Sequence, residues 1–518
     1  MPAIITDQFR IINANNFVED VTAGTNSYYT FLSLANPTAA GFGRTDTWNS
    51  TTVQPPSPED SINYTNHLYD TMLFGRKVFP GDVRRLIRKN AWTKGTSYDM
   101  YRHDYSVLNR SLVSNSSRLY SANYYVINSD FRVYVCIDNG SAGISSSANA
   151  SLDEPTFTDL EPAAAGVSGD GYLWKYLFTV PPADIVKFDS TEYIAVPNNW
   201  ATSVSNDIKV VRDNGDSEVN DNQIKVVSID EAGEGYSFLS SPIEVDIVGD
   251  GTGAKVRILT NTNGQIISAQ VTNGGKGYSF ARVDLSSINA SASKFAKLTP
   301  IIPPSRGHGY DLYKELGADR VMIYSRFDDS SRDFPINTKF CQIGILKNPS
   351  RFISTETFTN SEFSGLYAIN FSSVNDTLPI IGEKIIQTNT GAVGYVASYD
   401  SDTKILKYFK DRSLHYGPTY DQTDYVGVST GGNANIDFSN AGGNIIGQNS
   451  SFVGQISSFS GITTTVNNSI INLGVTFTDG LANPEINKKT GDIIYIDNRP
   501  LVSRNIRQKE DIKIILEF

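Results

Sequence analysis

A chain of 518 residues has the length of roughly three domains, and its 39% hydrophobic and 11% aromatic content suffices for packed cores. The net charge of −11, with a pI near 5.0, argues against a general nucleic-acid binder, which needs a basic footprint, and against docking on an anionic membrane surface. The 27 Tyr and 26 Phe against four Met favour sheets over helical bundles.

Thr6 is positioned to cap a helix over 7–21, with Phe9, Ile12 and Phe17 on one side and Gly24 just past the end. Asp7 and Arg10 fall where a signal peptide needs its apolar stretch, and no run of about 18 apolar residues predicts a transmembrane helix, so folding in a cytoplasm is expected. A strand is predicted over 27–34 (SYYTFLSL). The Gly-broken turn GFGRTDTW (41–48) and the Pro-rich loop QPPSPEDS (54–61) follow. The loop leads into a second helix with Ser57 as N-cap and Pro58 first inside it, and with Leu68, Met72 and Leu73 facing inward.

Two strands are predicted between 124 and 138, YYVIN and FRVYVCID, then a long Ser/Ala/Gly-rich loop over 140–169. GDGYLWKYLFTVPP (169–182) reads as a buried strand closed by Pro181-Pro182. Cys136 and Cys341 each sit in an apolar alternating run, which predicts buried free thiols and no zinc site.

Composition shifts after Trp200: residues 207–257 hold eleven Asp/Glu against five Lys/Arg. Here AGEGYSF (232–238) recurs as GGKGYSF (274–280), each copy preceded by a strand-like segment, the mark of a tandem β-module whose glycines supply positive φ. A second echo follows at an offset of 60: GEKIIQTNTGAVGYV (382–396) against GNIIGQNSSFVGQI (443–456), short strands with Gly/Asn turns typical of small barrels or sandwiches. Between the repeats, residues 315–349 read as two core strands around a loop. The last 28 residues read as strand, turn, strand, with Asn498-Arg499-Pro500 ending the first strand because Pro500 has no N–H to donate.

Little here points to catalysis. None of His67, His103, His308 and His415 pairs at metal-ligand spacing. His308, between glycines, is read as a turn histidine with a structural hydrogen bond. Ser291-x-x-Lys294 lacks companion motifs. Asp328, Asp329 and Asp333 could offer oxygen ligands to calcium but lack the alternation and Gly of an EF-hand, and a solvated loop is the better reading, as it is for DNGDSEVNDN (213–222). One basic segment stands out in the acidic chain: Arg76, Lys77, Arg84, Arg85, Arg88, Lys89 and Lys94. It reads either as a solvated helix or loop, or as a patch that docks on an acidic neighbour. No stacking-aromatic motif accompanies it, which argues against nucleic acid.

Seven pieces in one order carry a resemblance. They are GFGRTDTW; the Pro-rich loop ending in Asp60-Ser61; Trp92 followed by Gly95-Thr96; VYVCID; GDGYLWKYLFTVPP with EYIAVP (192–197); FCQIGILKNP (340–349); and GDIIYIDNRP (491–500) with the final strand. Together the chain resembles the gene 8-type baseplate wedge proteins of T-even-like contractile-tailed phages, over most of 40–200, about 320–350 and 490–518. The regions 205–305 and 350–475 have no counterpart in that type. The resemblance implies a virion structural protein of the tail baseplate, assembled in the host cytoplasm. It also implies a homodimer within the wedge, contacts with other wedge proteins and a part in the switch that triggers sheath contraction, with no catalysis, cofactor, nucleic acid or membrane.

The expected fold is mainly β with a few short helices (α+β) and multidomain, a β-sandwich-like core interrupted by two β-rich insertion modules. The core comprises 1–204, 306–350 and 476–518, and the insertions are 205–305 and 351–475. Two other functions fit an aromatic-rich β protein in a tail: a host-receptor or glycan-binding protein, and a polysaccharide hydrolase.

Overall fold

The computed structural model describes residues 6–34, 57–58, 60, 62–141, 148–215, 222–288, 293–328, 339–410, 436–503 and 508–518. It is mainly β and multidomain, with several sheets and short helices. Two compact units divide the chain: residues 1–18, 84–322 and 514–518 form one, and residues 19–83 and 323–513 the other.

In the first unit, strands Tyr125–Ile127, Arg132–Asn139 and Tyr172–Thr179 form an antiparallel sheet in that order, with Cys136 opposite Trp174. Both faces are covered, so the strands read as continuous apolar runs. Trp174 stacks on Tyr172, with ring centroids 5.4 Å apart, and Trp200 is buried in the same core. Both cysteines of the chain are buried, and neither forms a disulfide.

Residues 224–302 of this unit gather a hydrophobic cluster of their own. Strands Ile243–Gly249, Thr252–Thr260, Ile266–Lys276 and Ala281–Val283 form one sheet, and Val227–Glu231 pairs with Lys297–Pro300. The two GxGYSF copies repeat one local backbone conformation. Gly233 and Gly275 have φ of +67° and +60°. A Cβ on either would meet the ring of the tyrosine three residues on, at 2.6 Å for Tyr236 and 2.8 Å for Tyr278. Each tyrosine folds back over its glycine into the core, while Phe238 and Phe280 are 59% and 63% exposed.

The second unit is built on a sheet in the order Glu362–Ser364, Met72–Lys77, Tyr28–Ser33, Lys339–Lys347, Asp492–Ser503. One cross-strand row runs Phe363, Gly75, Phe31, Gly344, Ile496. Phenylalanine alternates with glycine along it because the rings lie over the glycine backbones. A Cβ on Gly75 would sit 2.2 Å from the Phe363 ring, and one on Gly344 2.3 Å from the Phe31 ring. A one-residue slip would drive both rings into side chains, so the row holds the register.

Strands Tyr367–Val374, Ile405–Phe409, Val393–Asp400, Lys384–Gln387, Ile445–Gly447 and Val453–Ile456 pair in that order. The last closes back on Tyr367–Val374, making a six-stranded antiparallel barrel, with Leu481–Ala482 added outside. The 60-residue echo is a local two-fold. Ile386 pairs with its equivalent Ile446, and Gln387 N–H to Ala392 O (2.9 Å) is repeated as Gly447 N–H to Phe452 O (2.8 Å).

Several elements differ from the sequence reading. The first helix spans Asp7–Ala23 and Thr6 Oγ1 does accept from Phe9 N–H, but the buried face is Ile11, Ala14, Val18 and Val21. Phe9 and Ile12 are 53% and 46% exposed, because the four buried residues, spaced by three and four, make the helical stripe that packs. Ser57 is not an N-cap: the second helix spans Ile62–Thr71, residues 58 and 60 are not helical, and the buried Met72 and Leu73 already belong to a strand. Pro500 does not end its strand. Pairing moves from Gln342↔Asn498 to Phe340↔Val502, and the resulting bulge carries the proline past the ladder. The terminal segments are also not a hairpin, since Asp492–Ser503 pairs with Lys339–Lys347 while Glu510–Glu517 pairs with Arg320–Phe327. GFGRTDTW and most of the Pro-rich loop lie outside the described residues.

Gly75→Ala and Gly344→Ala are each expected to cost about 1–3 kcal/mol by overpacking. Gly81→Ala, with nothing within 4 Å of its Cβ position, should stay within about 0.5 kcal/mol. Denaturant-dependent amide exchange in Tyr28–Ser33 and Lys339–Lys347 measures all three.

Candidate functional site

The basic segment is divided between the two units and is largely used within the chain. In the second unit, Arg76 donates to Arg326 O at 2.5 Å and lies 3.7 Å from Glu362, and Lys77 donates to Thr359 O at 3.2 Å. In the first unit the strand Val83–Arg88 alternates its side chains. Arg84 pairs with Asp184 at 3.0 Å. Arg85, only 2% exposed, donates to Asn15 Oδ1 at 2.5 Å and stacks on the Tyr313 ring at 4.2 Å. Arg88 donates to the carbonyls of Tyr120 and Ala122, and Lys89 grips both oxygens of Asp189 at 2.7 and 2.9 Å. Lys94, in an exposed turn, is the member most open to solvent.

Arg102 forms a centre that no spacing in the sequence announces, because its partner lies 128 residues away. Its guanidinium donates to Asp104 Oδ1 and Oδ2, both at 2.9 Å, to Asp230 Oδ1 at 2.7 Å and to Ser228 Oγ at 3.0 Å. Thr299 Oγ1 donates to Asp230 Oδ2 at 2.7 Å. Burial pushes the Asp230 carboxyl up, but the guanidinium and the Thr299 and Ser228 hydroxyls outweigh it and hold the group at about 2. The fork ties the 99–104 segment to both strands of the Val227–Glu231/Lys297–Pro300 pair. Next to it, His103 Nδ1 accepts from Ile302 N–H at 3.1 Å, and burial lowers its pKa.

His308 has the structural hydrogen bond expected of it. Its Nδ1 lies 2.6 Å from Glu315 Oε1, and Glu315 Oε2 accepts from Gly309 N–H at 2.7 Å. The pair is buried under the Tyr101 ring, 4.8 Å from the imidazole centroid. Lys175, also buried, donates to Leu160 O, and desolvation brings its pKa down to about 8. Both oxygens of the carboxylate are occupied by groups that fix a turn. Such an arrangement orients backbone.

Of the other positions singled out, Lys294 pairs with Glu231 at 3.8 Å and Asp328 lies 3.9 Å from Arg76. Asp329, Asp333, Ser291, His415 and the His67 side chain lie outside the described residues, as does most of 213–222. Among the described residues, no group of three His, Cys, Asp or Glu could hold a metal ion.

No family model matches the chain. Over 226 residues it is 28% identical to baseplate wedge protein gp8 of Enterobacteria phage T4. The chain has a relative among phage baseplate wedge proteins. The match takes in 40% of this chain and 63% of that protein, so the chain spans just under two thirds of the relative's length.

The Arg102 centre has a pH signature. The folded pKa of Asp230 lies below its ordinary 3.8, so its stabilisation is complete above about pH 4 and is lost as pH falls toward 2. In Asp230→Asn, amides of Val227–Glu231 and Lys297–Pro300 should open more easily by about 2 kcal/mol at pH 5. The difference from the parent should shrink between pH 4 and 2, as read by amide exchange.

Proposed function

We propose that this chain is a structural subunit of the baseplate wedge of a contractile phage tail. In this reading it holds neighbouring wedge proteins together and takes part in the rearrangement that triggers sheath contraction. The observation that carries the reading is the 226-residue match to baseplate wedge protein gp8 of Enterobacteria phage T4. The buried polar centres support it: Arg102–Asp230 and His308–Glu315 are spent on joining segments, as befits a rigid body and not a reaction centre.

The protein is then a non-enzymatic virion component, a homodimer in the tail baseplate, made in the host bacterial cytoplasm. Residues 205–305 and 351–475 are two modules inserted into a core of 1–204, 306–350 and 476–518. Each has a hydrophobic cluster of its own, which lets it be added without rebuilding the rest. Within the basic segment, Lys94, which is exposed, is the residue we expect to meet an acidic neighbour.

One observation favours a receptor-binding role for the first insertion, the exposed Phe238 and Phe280 at equivalent points of the repeat. Binding of the purified chain to host cells, lost on changing both to Ser, would support that role over assembly.

Co-expression with neighbouring wedge proteins of the same phage should give a complex that survives size-exclusion chromatography, and Lys94→Glu should weaken it in a salt-dependent way. Elution of the chain apart from every wedge protein would sink the assembly reading.

A further inference from the structure

Lysine is out of place in the strand Tyr172–Thr179, where its neighbours Trp174, Tyr176 and Leu177 belong to the core. Lys175 is only 3% exposed, and among the described residues its one hydrogen bond goes to Leu160 O. Burial brings its pKa down to about 8, with Lys225 acting in the same direction and Glu161 and Glu315 against it. Near pH 8 such an amine is neutral in a large fraction of molecules, and a neutral, desolvated lysine is a nucleophile.

An electrophile stands beside it. The helix Asn206–Gly215 packs on the same core through Val211 and Ile208, and its last turn carries Asn214, whose Nδ2 donates to Leu160 O at 3.2 Å. One carbonyl oxygen thus accepts from both the Lys175 amine and the Asn214 amide, which sets the two groups side by side. The residue after Leu160 is Glu161. Burial raises its carboxyl, but Lys225, Lys175 and the Asn214 side chain outweigh this and hold it ionised, below its ordinary pKa. Lys225, the other lysine here, is engaged by Glu161 Oε2 at 2.6 Å and by Gln223 Oε1. Lys175, Asn214, Lys225 and His308 line one small cavity of about 20 Å³, room for a single molecule the size of water or ammonia.

We propose that Lys175 and Asn214 form an intramolecular isopeptide bond, with Glu161 as the proton carrier. The neutral Nζ of Lys175 attacks Cγ of Asn214, and the new Nζ–Cγ bond replaces the Cγ–Nδ2 bond. Glu161 takes one proton from the attacking nitrogen and returns it to Nδ2, which leaves as ammonia. The carboxylate is regenerated, and no water, oxidant or cofactor is consumed. The product ties a strand of the core covalently to the helix that precedes residues 224–302. Unlike a disulfide, such a link is indifferent to the redox state of its surroundings. The bond forms in the isolated chain and so is independent of the assembly role.

The test is mass spectrometry of the purified full chain after incubation at about pH 8. The intact chain should lose the mass of one ammonia, and digestion should yield one branched peptide that carries both Lys175 and Asn214. Asn214→Ala and Lys175→Arg should each keep their full mass and give no branched peptide. Asn214 is followed by Gly215, so it can also lose ammonia to its own backbone as a succinimide. That loss would persist in Lys175→Arg and would vanish on hydrolysis, whereas the branched peptide survives. The Glu161 side chain is 56% exposed, so Glu161→Gln should fold as the parent does and form the bond at least about tenfold more slowly. Recovery of Lys175 and Asn214 only on separate peptides would overturn the proposal, including the case in which ammonia is lost equally in Lys175→Arg. Bond formation at the parent rate in Glu161→Gln would overturn the role given to Glu161.

Discussion

The second unit depends on the pairing of one strand, Lys339–Lys347, with strands drawn from near both ends of the chain. On one side it meets Tyr28–Ser33 and on the other Asp492–Ser503. An unpaired central strand would leave buried backbone groups without partners, so the sheet forms only when all three are present. Everything between them in sequence must depart and return. The closure penalty grows slowly with loop length, so long excursions are tolerable provided each stabilises itself. That is the condition met by residues 224–302 and by the barrel, each of which encloses its own apolar cluster. Contacts over such separations make folding slow, and the Phe–Gly row across the sheet supplies the register that a late-arriving strand needs.

Repetition was the most legible part of the sequence. The 42-residue spacing of GxGYSF translated into one repeated backbone conformation because a positive-φ glycine under a tyrosine ring is a local arrangement, complete within seven residues. The 60-residue echo became a closed barrel for a related reason. Two similar hairpins whose first strands pair in antiparallel fashion generate a two-fold axis, seen where Ile386 meets Ile446. Two buried side chains lock the halves. Glu383 accepts from the backbone of Asn449 and Ser450 in the second hairpin turn, and Gln387 from the first spans Ser439 and Gly443.

Less was legible where tertiary context decides. The first helix offered two apolar stripes, and the one carrying Phe9 and Ile12 lost to the stripe of Ile11, Ala14, Val18 and Val21. Pro500 was a reasonable strand terminator by local chemistry, but a bulge shifted it out of the ladder. The terminal strand pair looked like a hairpin because its halves are adjacent in sequence, yet each found a partner elsewhere. The Arg102–Asp230 fork was invisible because a charge-assisted pair has no periodicity and its members are far apart in the chain. The basic segment was visible as composition, but its division between two units and its internal pairing were not.

These buried pairs bear on how an acidic chain can associate at all. With a net charge of −11, copies and acidic neighbours repel unless contact is made through neutral surface or through cations kept free. Most cations of the basic segment are held by carboxylates and carbonyls of this chain, where they fix strands in place. Breaking such a pair to reach a neighbour would leave a poorly solvated charge behind, so these side chains make poor exchangeable contacts. The run over 438–478, which contains no Asp, Glu, Lys or Arg, carries no such cost. Its exposed apolar side chains, Ile462 and Ile470, attract through contacts that neither salt nor net charge greatly weakens.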